Sequence, residues 1–213
     1  MTPTGERVRQ AALELFAERG FHGTGIRQLA ERAGVSSASL YHYMGTKEDL
    51  LVALMTSSLE RLVDDAEAAV AGSDDPVGQL GALVRMHVTA HAARPLETRV
   101  GDHEVEALSP PAREVVVALR DRYEQVWQRV LAEGQAAGVL DLEHPALARR
   151  ALLEMCSGVA RWFDPAGPLS LAGLADHYVA LACRLLGVSR ATRRGGADIS
   201  AERRWILFSA GLR

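Results

Sequence analysis

The stretch FHGTGIRQLAERAGVSSASLYHYMGTK, Phe21 to Lys47, decides how the rest of the chain is read. Ile26, Leu29, Ala30 and Ala33 recur at helical spacing, so one face of a short helix is apolar and packs inward. Gly34 follows them where a left-handed residue closes a helix, and Val35 supplies an apolar plug beneath the turn. Ser36 or Ser37 then opens a second helix, running to about Tyr43, by accepting from its first free N–H groups. Leu40 is its one strongly apolar residue, whereas Ser37, Ala38, Ser39, Tyr41, His42 and Tyr43 are small or hydrogen-bonding. Such a helix has little core to bury and a surface to be read, which makes the pair a helix-turn-helix pattern.

With 213 residues, 48% of them hydrophobic and 5% aromatic, the chain can build one large or two small domains around a real core. It lacks a long unbroken apolar run, and its start, MTPTGERVRQ, lacks the apolar stretch of a signal peptide, so neither a membrane partner nor export is expected and the location is cytoplasmic. Cys156 and Cys183 sit in apolar helical patterns and read as reduced core thiols. Charge is unevenly spread along a chain of net −3. Residues 1–47 hold six basic against four acidic side chains, a net of +2; residues 189–213 hold six arginines against Asp198 and Glu202, a net of +4. The stretch between therefore carries −9 and repels phosphates, which directs nucleic acid to the N-terminal end. Lys47 is the only lysine.

The remaining patterns are helical. Val8, Ala12, Leu15 and Phe16 form one stripe that Gly20 ends. Thr46 and Asp49 make a capping box for a helix from Lys47 to about Ala71, and Pro76 opens the next, to about Ala93. Pro95 and Pro110-Pro111 bracket a short charged segment. Further helices are expected over residues 112–137, 145–163 and 171–186, with no strand signal and no internal repeat. The reading is all-α, with roughly nine helices. Residues 1–47 form a helix-turn-helix DNA-binding domain, residues 48–188 a ligand-binding and dimerisation domain, and residues 189–213 a basic, disordered tail. The last two helices carry broad faces of small and apolar residues, among them Ala151, Leu152, Leu181 and Leu185. Those faces are either internal core or a homodimer interface. Pairing two heads would set their reading helices about 34 Å apart, one turn of DNA.

The pattern FAERGFHGTGIRQLAERAGVSSASLYHYMGTKEDL, Phe16 to Leu50, resembles the DNA-binding domain of TetR-family transcriptional regulators. It departs from the usual pattern at Gly25, where Thr or Ser normally caps the second helix, and at Met44, where Phe is usual. The resemblance implies that Tyr41, Tyr43 and Lys47 hold phosphates, that Thr24 and Arg27 contact the backbone across the groove, and that Ser37, Ala38, Ser39 and His42 meet base edges. It also implies a palindromic double-stranded DNA operator, a homodimer, repression as the usual mode, and a small-molecule effector bound in the body. The segment ARWFDPAGPLS, Ala160 to Ser170, is similar to TetR-type repressors of fatty-acid and sterol catabolism, which implies an acyl-CoA effector.

Within the body, Met86, Arg99, Val105, Tyr123, Trp127, Met155 and Trp162 are candidates to line an effector pocket, with ordinary core as the alternative for each. Arg85, Arg99 or Arg161 can serve a CoA phosphate or lie solvated on the surface. His87 and His91 are four apart, at zinc-ligand spacing, and make a metal-responsive repressor one alternative; an effector-free DNA-binding protein is another. No cysteine joins the two histidines, and no metal ligand set is assigned. Catalytic residues and cofactors are not expected: the chain has no GxSxG, no phosphate-cradling glycine loop and no HExxH.

Overall fold

A computed structural model describes residues 2–188, and every regular element among them is helical. The head consists of α1 (Pro3–Gly23), α2 (Ile26–Ala33) and α3 (Ser37–Met44). A long α4 (Lys47–Ala71) leaves it. The body adds α5 (Pro76–Ala93), α6 (Pro95–His103), a 3-10 turn (Val105–Ala107), α7 (Pro110–Ala136), α8 (Pro145–Ser157), α9 (Val159–Trp162) and α10 (Leu171–Leu185). The expected tail, residues 189–213, lies outside the described residues.

Local chemistry places the boundaries. Gly20, at φ 76° and ψ 163°, breaks the helical path of α1 where its apolar stripe ends. Gly34 closes α2 at φ 67°, with its N–H on Glu31 O at 3.1 Å and the Val35 N–H on Ala30 O at 3.0 Å, the paired bonds of a Schellman closure. Of the two candidate serines, Ser36 is the cap of α3, its Oγ accepting the Ser39 N–H at 3.1 Å. Thr46 and Asp49 exchange bonds of 3.0 and 2.9 Å at the start of α4. The helix expected over residues 145–163 is interrupted at Gly158, where the Arg161 N–H bonds back only three residues, so α8 and α9 are separate elements.

Two apolar clusters hold the molecule together. The body cluster packs α4, α5, α7, α8 and α10 around the fully buried Trp127. The head cluster, built on Phe16, Leu29 and Leu40, does not stop at residue 47. Leu50, Leu51, Leu54 and Met55 of α4 belong to it, as do Val100, Val105, Leu108 and Val116 from α6, the 3-10 turn and α7. Each such side chain, fully buried, contributes about 1.5–3 kcal/mol, so the head is seated on the body by its own core.

The charged segment after Pro95 forms α6, and its polar groups fasten α1. Arg99 donates to Ala17 O at 3.1 Å, and Glu104 accepts the Phe21 N–H at 2.9 Å. Both are backbone groups that the break at Gly20 leaves without helical partners.

A stability prediction comes from Gly45, the residue between α3 and α4. It sits at φ 64° and ψ −123°, and a Cβ there would lie 2.8 Å from Asp49 Oδ2. Gly45→Ala strains the backbone and crowds the capping carboxylate, and urea unfolding should show a loss of about 1–3 kcal/mol. An unchanged midpoint would mean that the turn relaxes freely.

Candidate nucleic-acid interface and effector cavity

The α3 surface is largely bare. Leu40 and Met44 point into the head, while Ser37, Ala38, Ser39, Tyr41, His42 and Tyr43 are exposed, Tyr41 to 53%. Ser36 donates its hydroxyl to Ser39 Oγ at 2.9 Å, and the His42 and Tyr43 rings meet edge to face. Arg27 is exposed in the first turn of α2, one element away. These residues supply hydroxyls, an imidazole and a guanidinium on one side of the head, groups suited to phosphate oxygens and base edges.

Two expected contacts are placed differently. Thr24 is only 2% exposed, and its hydroxyl faces Gly20 O at 2.8 Å and Leu15 O at 3.2 Å. A hydroxyl turned inward cannot meet a phosphate, so Thr24 supports the corner instead. Lys47 donates to Phe21 O at 2.7 Å and Thr24 O at 2.9 Å, with its nitrogen 4.2 Å from the centre of the Phe21 ring. Partial burial pulls its pKa below the ordinary lysine value. Two of its three donors are engaged inside the protein, which leaves one for DNA.

A half-open cavity of about 420 Å³ lies between α4, α5, α6, α7, α8 and α9, with Leu13 of α1 at its edge. Leu54, Leu59, Leu62 and Leu153 supply apolar wall, and Arg94, Arg120 and Arg161 supply cationic groups. The carboxylates Glu97, Asp102, Glu124 and Glu154 line it too, Asp102 lies in the field of Arg120 and Arg161, and Arg120 donates to Gly101 O at 3.0 Å. The remaining lining includes a buried polar chain. His87 Nδ1 meets the Tyr123 hydroxyl at 2.5 Å, and its Nε2 meets Ser157 Oγ at 3.0 Å. Two hydroxyls thus occupy both ring nitrogens of His87. The His91 ring lies tilted by 36° against His87 with centroids 4.0 Å apart, and its Nδ1 lies 2.7 Å from Thr98 Oγ1. Burial holds both histidines neutral: it pushes His91 down to about 4 and His87 well below the usual range, the latter helped by the charge of its neighbour.

Of the pocket candidates named from the sequence, Tyr123 lines this cavity. Trp127 stands behind it in the core, edge-on to His87 at 5.5 Å, and Val105 belongs to the head cluster. Met86 and Met155 pack half-buried on the body core, Arg99 is tied to α1, and Trp162 is 55% exposed. Arg161 reaches the cavity, whereas Arg85 pairs outward with Asp176. His91, Arg94 and Arg120 are lining residues that the pattern of large apolar side chains passes over. The available signal was the pair His87 and His91 on an otherwise apolar helix. That pair is not a chelate: both His87 nitrogens are occupied, and the described residues contain no group of three or more His, Cys, Asp or Glu able to hold a metal. Nor does any helix among them have the length and apolarity to cross a membrane.

Residues 8–54 match the family model of bacterial regulatory proteins of the tetR family, and residues 73–186 match the tetracyclin repressor-like C-terminal domain. The chain belongs to the TetR family. It is thus a DNA-binding, ligand-responsive transcriptional regulator and not an enzyme. It is 30% identical to the HTH-type transcriptional repressor KstR2 of Rhodococcus jostii strain RHA1, over 80% of this chain and 84% of that one. Among solved structures, a tetR-family regulatory protein from Rhodococcus RHA1 superposes with a TM-score of 0.81 at 28% identity, covering 89% of this chain and all, 100%, of that one. The fold also matches AibR, crystallised with isovaleryl coenzyme A and operator DNA, with a TM-score of 0.76 at 22% identity over 87% of this chain and 100% of that one.

The buried histidines set a pH dependence. Their folded pKa values lie below the unfolded value, so the unfolded regulator binds more protons below about pH 6.5, and stability falls from there towards about pH 4. Between about pH 7.5 and about pH 5 His91 should account for about 2 kcal/mol of lost stability, and His87 adds to the loss in the same direction. Urea titrations at both values, with His91→Gln beside the parent, check this: the variant should lose less on acidification.

Proposed function

We propose that this regulator is a dimeric repressor whose heads hold a palindromic operator and release it when an amphipathic acyl thioester, of the acyl-CoA class, fills the body cavity. The observation that carries the reading is that α6 is at once a wall of the cavity and the fastening of α1. Thr98, Gly101 and Asp102 line the cavity, and Arg99 and Glu104 of the same segment hold Ala17 O and the Phe21 N–H. A ligand that displaces α6 therefore displaces the base of the head, and the two share a differential binding energy.

In this reading residues 1–47 bind DNA and residues 48–188 bind effector and dimerise. Arg27, Tyr41, Tyr43 and the remaining donor of Lys47 position the head on phosphates; Ser37, Ala38, Ser39 and His42 read bases. Leu147 on α8 and Leu181 and Leu185 on α10 are exposed at 63%, 41% and 53%, an apolar face suited to a second copy. The apolar walls suit an acyl chain and Arg94, Arg120 and Arg161 suit phosphates, which is the chemistry of the isovaleryl coenzyme A bound to AibR. In this reading the protein works in the cytoplasm, where an operator would be bound.

Footprinting on DNA flanking its own gene, with light scattering of the free protein, tests the reading: a palindromic footprint and a mass of two chains are expected. In binding titrations, Arg27→Ala and Tyr41→Phe should weaken all sequences alike and Arg27→Ala should lower the salt slope by about 1, whereas Ser37→Ala or His42→Ala should change the preferred sequence by about 1–3 kcal/mol per affected base pair. Identical behaviour of the two sets would reject the division of roles.

A second prediction concerns coupling. Glu104→Ala removes the acceptor of the Phe21 N–H without touching α3 or the exposed apolar face. It should leave acyl-CoA binding intact but reduce the effector-induced loss of operator affinity, read by fluorescence anisotropy with and without the thioester.

A further inference from the structure

The floor of the cavity and the core of the head are built from the same side chains. Leu54 and Met55 of α4, Val100 of α6 and Val116 of α7 line the cavity, and all four are buried members of the cluster that holds Phe16, Leu29 and Leu40. Towards the body core the wall differs in kind, with the ring of His87 and the hydroxyls of Tyr123 and Ser157 linked across it. Exposure separates floor from mouth. The exposed lining residues are Arg94, Asp102, His103, Glu154 and Arg161, each charged or imidazole-bearing, whereas the buried ones include the four apolar residues of the head cluster. An amphipathic ligand is thereby sorted. Its charged end stays at the mouth, and its hydrocarbon is directed to the head side, because pressing it on the chain of Tyr123, His87 and Ser157 would strip water from polar groups and return nothing.

We propose that Leu54, Met55, Val100 and Val116 select the effector by its reach: a thioester releases the operator only when its acyl chain packs on these residues, and a shorter one binds without releasing it. The inference rests on the acyl-thioester reading above and adds which part of the ligand carries the signal. Side chains that border a void lack partner atoms on that side, and a chain that fills the void supplies them. The cluster behind them is close-packed, so new contacts at the floor shift its members instead of being absorbed. Those members include Leu40 and Met44, the inward residues of α3. Filling the floor thus acts on the reading helix through the head's own core, whereas a short acyl group at the charged mouth leaves that core as it was.

The test uses butyryl-, octanoyl- and dodecanoyl-CoA on the full chain, each at saturation, with operator affinity read by fluorescence anisotropy and the methionine methyl groups by carbon NMR. Affinity should rise about fourfold for each methylene that gains floor contact. Operator release should set in at a threshold along the series, with butyryl-CoA bound and without effect. A thioester that releases should shift the methyl of Met55 and, behind it, that of Met44, which is buried in the head cluster and does not line the cavity. Met86 and Met155, half-buried on the body core, should move less. In Met55→Ala the floor is deeper, and the threshold should pass to a longer chain. Equal release by every bound thioester, a threshold that Met55→Ala leaves in place, or a releasing thioester that leaves the parent's Met55 methyl unmoved would each overturn the proposal and leave the acyl-thioester reading standing. If no thioester binds, that reading fails instead, and benzene in the same NMR experiment decides the role of the floor alone: joint shifts of Met55 and Met44 support it, and their absence overturns it.

Discussion

The backbone break at Gly20 is the constraint on which the arrangement of the other elements depends. A helix interrupted at φ 76° leaves carbonyls and an N–H that its own turns no longer satisfy, and buried backbone groups without partners are costly. Four side chains from separate parts of the chain meet that need. Thr24 turns its hydroxyl onto Gly20 O, Lys47 spans Phe21 O and Thr24 O, Arg99 reaches Ala17 O, and Glu104 takes the Phe21 N–H. The first belongs to the corner, the second to α4, and the last two to the segment that walls the cavity. The head, the long connecting helix and the wall of the cavity are thus joined at one spot.

The same junction explains why the chain's single lysine stands at position 47. An ammonium is compact enough to lie over the Phe21 ring and direct separate N–H groups at two carbonyls, a geometry for which a planar guanidinium is poorly shaped. Lysine at this position therefore ties the start of α4 to the corner after α1. The cavity shows a comparable double use. The chain Tyr123, His87 and Ser157 ties α7 and α8 to α5 and lines the cavity at the same time.

Much of the fold is legible from short-range pattern. The glycine and serine at the α2–α3 turn, the Thr46–Asp49 box, and the apolar stripes of α1, α4 and α7 are relations between residues three or four apart, and the helices formed where those relations predict. The bare face of α3 is legible for the same reason, since a helix with one strong apolar residue has little else to bury. The interruption at Gly158 is a smaller matter of the same kind, a glycine inside a helical pattern that the periodicity runs straight through.

The site residues divide along the same physical line. Sequence by itself determined the all-α class, the head, the bare surface of α3 and the family, because capping, turn closure and amphipathic period act within a few residues of one another. Tertiary structure alone decided that Thr24 faces inward, that Lys47 braces the corner, and that Arg99 reaches Ala17 O of α1. It likewise decided that the cavity is edged by His91, Arg94, Arg120 and Arg161, with Trp127 behind it and Trp162 outside. Those outcomes depend on where helices distant in sequence cross, and helical spacing records only which face is apolar, not what lies opposite it.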